Sequence, residues 1–122
     1  MTRHTNKTTG ARLRVVLRPD VALGPGKAAL LQGIQETGSI AAAGRRMKMS
    51  YKRAWSLIES LNRDFGVPLV STSKGGKAFG GAALTETGAR VLALYRSMEQ
   101  RARDSTEDDF RALQSLLPDI SE

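Results

Sequence analysis

The stretch GSIAAAGRRMKMSYKRAWSLIESLN, residues 38–62, decides the fold. Ser39 and Ser50 each stand just before a run with helical spacing, where a serine hydroxyl can accept from the free N–H groups of a first helical turn. The first run, 40–46, carries Ala41, Ala42, Ala43 and Gly44, small enough for another helix to cross it closely. Met47, Lys48 and Met49 then make a tight turn with two apolar plugs. The second run reaches about Asp64, and its inner stripe is Ala54, Ile58, Leu61 and Phe65, at spacings of four, three and four. Tyr51 and Trp55 flank that stripe one turn apart, and Trp55 reads as core rather than as a platform for stacking bases. Helix, three-residue turn and helix follow from this stretch alone.

Upstream, LRVVLR (13–18) is β-prone and Pro19-Asp20 stops it, which predicts one short strand. Gly24-Pro25-Gly26 is a break. Pro25 suits the opening turn of a helix whose stripe is Leu30, Leu31 and Ile34 and whose end is Gly38. Downstream, Gly66-Val67-Pro68 ends the second helix, and LVSTS (69–73) and AAL (82–84) flank the glycine-rich KGGKAFGG as a hairpin. Thr85 caps a final helix striped with Val91, Leu92, Tyr95, Met98 and Ala102. DSTEDD (104–109) interrupts that stripe, and Ser105 with Asp108 resembles a capping box, so a kink or a separate last helix is expected near 104–108. Phe110, Leu113, Leu116 and Leu117 would line that segment, and Pro118 closes it.

The order of elements is that of a winged helix-turn-helix, mainly α with a small β-hairpin wing and a long C-terminal dimerisation helix. Residues 1–11 read as a flexible basic arm, 12–88 as the DNA-binding domain, and 89–122 as the dimerisation helix and acidic tail. A chain of 122 residues suits one such domain. Charge agrees with it. Nineteen Lys and Arg against twelve Asp and Glu give +7, but residues 1–98 alone carry +11 and residues 99–122 carry −4. A basic body with an acidic tail favours double-stranded DNA as partner, with a membrane surface second.

Other classes find little support. The chain has no Cys, and its one His, His4, lies in the arm, so no nucleophile or metal cluster is assembled and the expectation is no catalysis. KGGKAFGG lacks the GxxxxGK[ST] order of a phosphate cradle. No apolar run approaches the ~18 residues of a membrane span, and no apolar segment follows the basic arm as in a secretory signal. Those features predict a soluble, cytoplasmic protein.

Five cations, Arg45, Arg46, Lys48, Lys52 and Arg53, fall within nine residues, and no acid follows until Glu59. Cations at the start of a helix that also carries an inner stripe match a recognition helix entering the major groove. Lys52, Arg53 and Ser56 project away from the stripe and are candidates for base edges. Ser39, Arg45, Lys48, Ser50 and Tyr51 are better placed for phosphates. Lys74 and Lys77 flank the glycines of the wing, where they would reach neighbouring phosphates or the minor groove.

Residues 38–62, followed by GGKAFGGAALTETG (75–88), resemble the DNA-binding half of the molybdate-responsive ModE family of bacterial transcription regulators. SYKRAW and a glycine-rich wing ending in LTxxG are the specific parts. The GSIAAA and GVPL segments are shared with LysR-type regulators. The resemblance covers about residues 12–100. It implies a homodimer joined through the first and last helices and reading a palindromic operator near molybdate-uptake or molybdoenzyme genes. It places Ser50, Tyr51, Lys52, Arg53 and Ser56 on the recognition helix, and Lys74, Gly75, Gly76 and Lys77 on the wing. Full-length members continue into small β-rich domains that bind molybdate or tungstate, and these 122 residues do not include them. The expectation is therefore a chain without a cofactor of its own, acting constitutively, answering to another signal, or borrowing an oxyanion sensor from a separate protein. The alternatives are a LysR-like or nucleoid-type DNA-binding protein, or an adaptor module that binds another protein or RNA and relies on a separate sensor chain.

Overall fold

The computed structural model describes residues 9–73 and 81–119. Strands β1 (Val15–Arg18) and β2 (Val21–Leu23) form an antiparallel hairpin, with Val15 opposite Leu23 and an irregularity that brings Arg18 opposite Val21. Pro19-Asp20 is thus the turn of a hairpin, where the sequence suggested only the end of one strand. Helix α1 (Pro25–Thr37) opens on a proline whose fixed φ suits the first turn. It ends at Gly38, in the left-handed region (φ 70°), whose N–H donates to the Ile34 carbonyl at 2.8 Å. Helices α2 (Ile40–Arg46) and α3 (Tyr51–Phe65) follow, then strands β3 (Val70–Ser73) and β4 (Gly81–Leu84) and helix α4 (Glu86–Ser115).

The core draws on every helix: Leu30, Leu31 and Ile34 of α1, Ile40 and Ala43 of α2, Ala54, Ile58 and Leu61 of α3, and Leu92 and Tyr95 of α4. Each large apolar side chain so buried contributes roughly 1.5–3 kcal/mol relative to exposure. Small residues set the crossings. A Cβ on Gly33 would lie 2.9 Å from that of Ala43, so α1 and α2 meet there almost backbone to backbone. Gly44 is the counterpart facing α3, where an added Cβ would lie 3.4 Å from Ala54 Cβ. The run AAAG thus serves two neighbours: Ala43 belongs to α1 and Gly44 to α3.

Antiparallel β3 and β4 pair from Val70 opposite Leu84 to Ser73 opposite Gly81. The hairpin is tied down at both ends of the helical unit. Ala82 donates its N–H to the Gly38 carbonyl at 2.9 Å, at the corner between α1 and α2. Thr85 caps α4 by accepting from the Gly88 N–H, while its hydroxyl donates to the Pro68 carbonyl at 2.8 Å and its own N–H reaches Leu69 O. Gly88 is required by the same knot, because a Cβ there would overlap the Leu69 carbonyl. The LTxxG motif is therefore a joint between the hairpin and α4.

Helix α4 corrects the expected break near 104–108: it runs unbroken for 30 residues. Ser105 does not start a new helix; its hydroxyl donates back to Ala102 O at 3.3 Å, as that of Thr106 does at 2.7 Å. Such back-bonding is compatible with a helix interior. Gln100 with Asp104 and Arg111 with Glu107 add contacts one turn apart across the polar stretch. The apolar stripe divides as well. Leu92 and Tyr95 are buried in the chain's own core, and the Tyr95 hydroxyl donates to Leu13 O at 2.6 Å. Burial pushes this phenol above its ordinary pKa, so it stays a donor. Glu99 is nearly buried and held by Arg96 and Arg103 from one turn to either side. Leu94, Met98, Leu113, Leu116 and Leu117 stay exposed.

Candidate nucleic-acid interface

The presentation of α3 starts with its caps. Ser50 Oγ accepts from the Arg53 N–H and Ser39 Oγ from the Ala42 N–H, both at 3.0 Å. Both serines expected at phosphates thus serve first as helix caps, and only their O–H protons remain for an acceptor outside the chain. Between the helices, Met47 and Met49 pack partly buried against the core. Gly44 O accepts from both Met47 and Met49 N–H, and Lys48 donates its N–H to Arg45 O at 3.0 Å. To close so tight a turn Lys48 adopts φ 57°, and it is the one non-glycine with positive φ among the described residues. That geometry costs roughly 1–2 kcal/mol for a residue with a Cβ.

Every base-edge candidate, Lys52, Arg53 and Ser56, is exposed, as are Arg45, Lys48, Ser50 and Tyr51. Ser39 is half-buried. Opposite them Ala54, Ile58 and Leu61 are at most 1% exposed, so the inner stripe fixes the rotation of α3 and turns its cations outward. Tyr51 and Trp55 meet edge to face, their centroids 6.3 Å apart, and Trp55 is partly buried against the core. Tyr51 is 57% exposed. At its far end α3 is held by Asn62, whose Oδ1 accepts from Leu69 N–H at 2.8 Å.

Arg46, the fifth cation of the run, faces elsewhere. It forms an ion pair with Glu36 of α1, and that hydrogen bond, with a second from Gln32, holds the Glu36 carboxyl below its ordinary pKa. Arg45, Lys48, Lys52 and Arg53 have no carboxylate partner among the described residues. Lys74, Gly75, Gly76 and Lys77, expected on the wing, lie outside the described residues.

The structure adds two cations that the sequence did not single out. Arg14, just before β1, and Lys27 of α1 line a cleft of about 320 Å³ together with Arg53 of α3. No local pattern signals this grouping, because it forms only when the N-terminal hairpin and α1 pack beside the start of α3.

Two capped helices around a tight turn, a β-hairpin and an outward cationic face on the second helix define a winged helix-turn-helix DNA-binding domain. The likeness to solved structures fits that class. The DNA-binding domain in the crystal structure of the CbnR_DBD–DNA complex superposes with a TM-score of 0.57 at 24% identity, over 71% of this chain and 94% of that one. ArgP from Mycobacterium tuberculosis gives 0.53 at 21% identity, over 69% and 30%. Residues 27–89 match the model of the bacterial regulatory helix-turn-helix proteins of the lysR family, and the chain belongs to that family. It is also similar to proteins named for molybdenum. The transcriptional regulator ModE of Yersinia pestis is 42% identical over 100 residues, 80% of this chain and 38% of that protein. The molybdenum-pterin-binding protein MopB of Rhodobacter capsulatus is 42% identical over 89 residues, 73% of this chain and 33% of that protein. The DNA-binding transcriptional dual regulator ModE of Escherichia coli K12 is 36% identical over 113 residues, 89% and 43%. The chain thus spans less than half the length of each of these relatives. These identities bear out the resemblance to the ModE family.

Proposed function

We propose that this chain is the operator-binding unit of a ModE-like transcription regulator serving molybdate uptake or molybdoenzyme genes. The observation that carries the reading is the outward face of α3, with Lys52, Arg53 and Ser56 exposed on a helix whose rotation is fixed by its buried stripe. Lys52, Arg53 and Ser56 contact base edges. Arg45, Lys48 and Tyr51, with the hydroxyls of Ser39 and Ser50, contact phosphates, and Lys74 and Lys77 reach the backbone from the wing, whose glycines, Gly75 and Gly76, allow close approach. Residues 12–88 form the DNA-binding unit, and the acidic distal part of α4 keeps clear of the duplex.

The chain acts as a homodimer. Support comes from the apolar side chains left bare at the end of α4 and just past it, Leu113, Leu116 and Leu117, at least 65% exposed where the chain's own core does not reach. A two-fold mate would bury them and place two recognition helices on a palindrome with half-sites ~34 Å apart. Molybdate control is read from the relatives' names and resides in a sensor outside residues 1–122, whether covalently continuous or on a separate chain.

Selection of duplexes from a random pool tests the reading. Enrichment of a palindrome that binds at least a thousandfold tighter than scrambled duplex is the expected outcome. Affinity that depends only on salt and not on sequence would leave a nucleoid-type protein instead.

A further inference from the structure

The cleft between the N-terminal hairpin, α1 and α3 is walled on one side by the helix-turn-helix, through Met49, Arg53 and Leu57, and on the other by residues before it. We propose that Arg14, Lys27 and Arg53 form a binding site for one backbone phosphate of the duplex, making the N-terminal hairpin a third DNA-contacting element beside α3 and the wing. The inference rests on α3 being the recognition helix.

Three observations carry it. First, neither Arg14 nor Arg53 has a side-chain hydrogen bond or carboxylate partner among the described residues, and both line one cleft. Like charges gathered in this way oppose one another in the free protein, and an anion between them relieves the repulsion. Second, a third cation, Lys27, lines the same cleft, its charge offset among the described residues only by Asp64. Lys27 Nζ donates to the Ala22 carbonyl at 3.2 Å and lies 3.9 Å from Asp64, contacts that hold it at the wall of the cleft. Third, there is room. The Arg14 stem lies beside Gly24, with Cγ 3.9 Å from where a Cβ there would be, and nothing comes within 4 Å of a Cβ built on Gly26.

The chemistry selects phosphate, because planar guanidinium groups pair with its oxygens through two parallel N–H donors. The position selects a duplex as its source. Arg53 is both a wall of the cleft and part of the outward face of α3, so an anion held there is continuous with the DNA that α3 reads.

The enriched palindrome and its scrambled counterpart provide the test, each titrated at several salt concentrations against the parent chain, Arg14→Ala, Arg14→Gln and Arg53→Ala. Losing one phosphate contact from each protomer of the dimer should reduce the log–log salt slope by about 1.8 and weaken binding about thirtyfold at 0.15 M salt. Both Arg14 variants should show this loss equally on the two duplexes, with the parent's preference for the palindrome retained. Arg53→Ala should lose preference as well. Arg14 is exposed, so unchanged melting curves should accompany the loss, and Arg14→Gln keeps most of the stem should Arg14→Ala melt early. A chemical check is independent of folding: replacing single phosphates by uncharged methylphosphonates should identify one that weakens the parent and not Arg14→Ala. Arg14 variants with the parent's slope and affinity, in a chain that still prefers the palindrome, would overturn the cleft and leave the reading of α3 standing. A parent chain that binds neither duplex would overturn both.

Discussion

Helices α3 and α4 are built on the same amphipathic principle and meet opposite fates. In α3 Ala54, Ile58 and Leu61 are consumed by the chain's own core. The outward face of its first turn carries Lys52 and Arg53, with no carboxylate partner among the described residues. In α4 only the first half finds a core, through Leu92 and Tyr95, and what remains outside the second half is apolar side chains among acids. The difference indicates what each surface lacks. Bare cations without counter-ions lack an anion, whereas bare leucines on a protruding helix lack another apolar surface.

The contrast can be broken at its root by Gly88→Ala, the largest effect expected. A side chain there must displace the Leu69 backbone, and overpacking against backbone costs about 3 kcal/mol. A fall in melting temperature with no gain in dimerisation would place the fault in the joint between β3 and α4. Next, a Leu113→Gln/Leu116→Gln/Leu117→Gln chain should run as a monomer by light scattering while keeping its melting curve at low concentration. Operator affinity should then fall at least a hundredfold, because half-sites would bind singly. If the parent already has the mass of one chain at micromolar concentration, α4 has been misread.

Arg53→Ala sharpens the α3 side. It should cost ~1–3 kcal/mol on the palindrome and clearly less on scrambled duplex, while Lys77→Ala weakens both alike. Equal losses on both duplexes for Arg53→Ala would move it from base edges to phosphates. Lys48→Gly should stabilise the fold by about 1 kcal/mol, since glycine accepts φ 57° without cost, and should still reduce the dimer's salt slope by about two, one contact per protomer. Stability and affinity moving in opposite directions would mark a strained residue kept for its charge. The smallest effect concerns Glu36, whose folded-state pKa is depressed by Arg46. Its contribution is present above the ordinary carboxylate pKa and is lost as pH falls through the depressed value, and Glu36→Gln should abolish that part of the acid dependence.

What the sequence disclosed was local. Both serine caps, the tight turn, the inner stripe of α3 and the Thr85 cap are written within a few residues of where they act, and each stands where the spacing placed it. Failures came where packing between elements overrode local cues, and once where a local hydroxyl bond took the place of the cap it resembled. Val21–Leu23 is too short to announce itself, and it becomes a strand only because β1 lies beside it. DSTEDD looks like a helix break, yet its hydroxyls bond back to Ala102 and the helix continues. Ala41, Ala42, Ala43 and Gly44 read alike as room for one crossing helix, whereas two helices cross there, α1 at Ala43 and α3 at Gly44. In the site, the exposure of Lys52, Arg53 and Ser56 follows from helical period. The company that Arg14 keeps with Arg53 does not, because it depends on how a hairpin docks.

The continuity of α4 has a mechanical consequence. Thirty residues of unbroken helix make a rod about 45 Å long, and at its base Thr85 and Gly88 clamp it to the residues that end α3. A rod clamped at one end converts angle into displacement. Its first half is held in the core as far as Arg96, which donates to Gln32 of α1. The free part is thus about 28 Å long, and tilting that part by about 8° moves its end by about 4 Å, close to the rise of one base pair, about 3.4 Å. Two such rods joined at their tips would form a pair of calipers, and whatever sets the angle at the joint would set the gap between the two recognition helices.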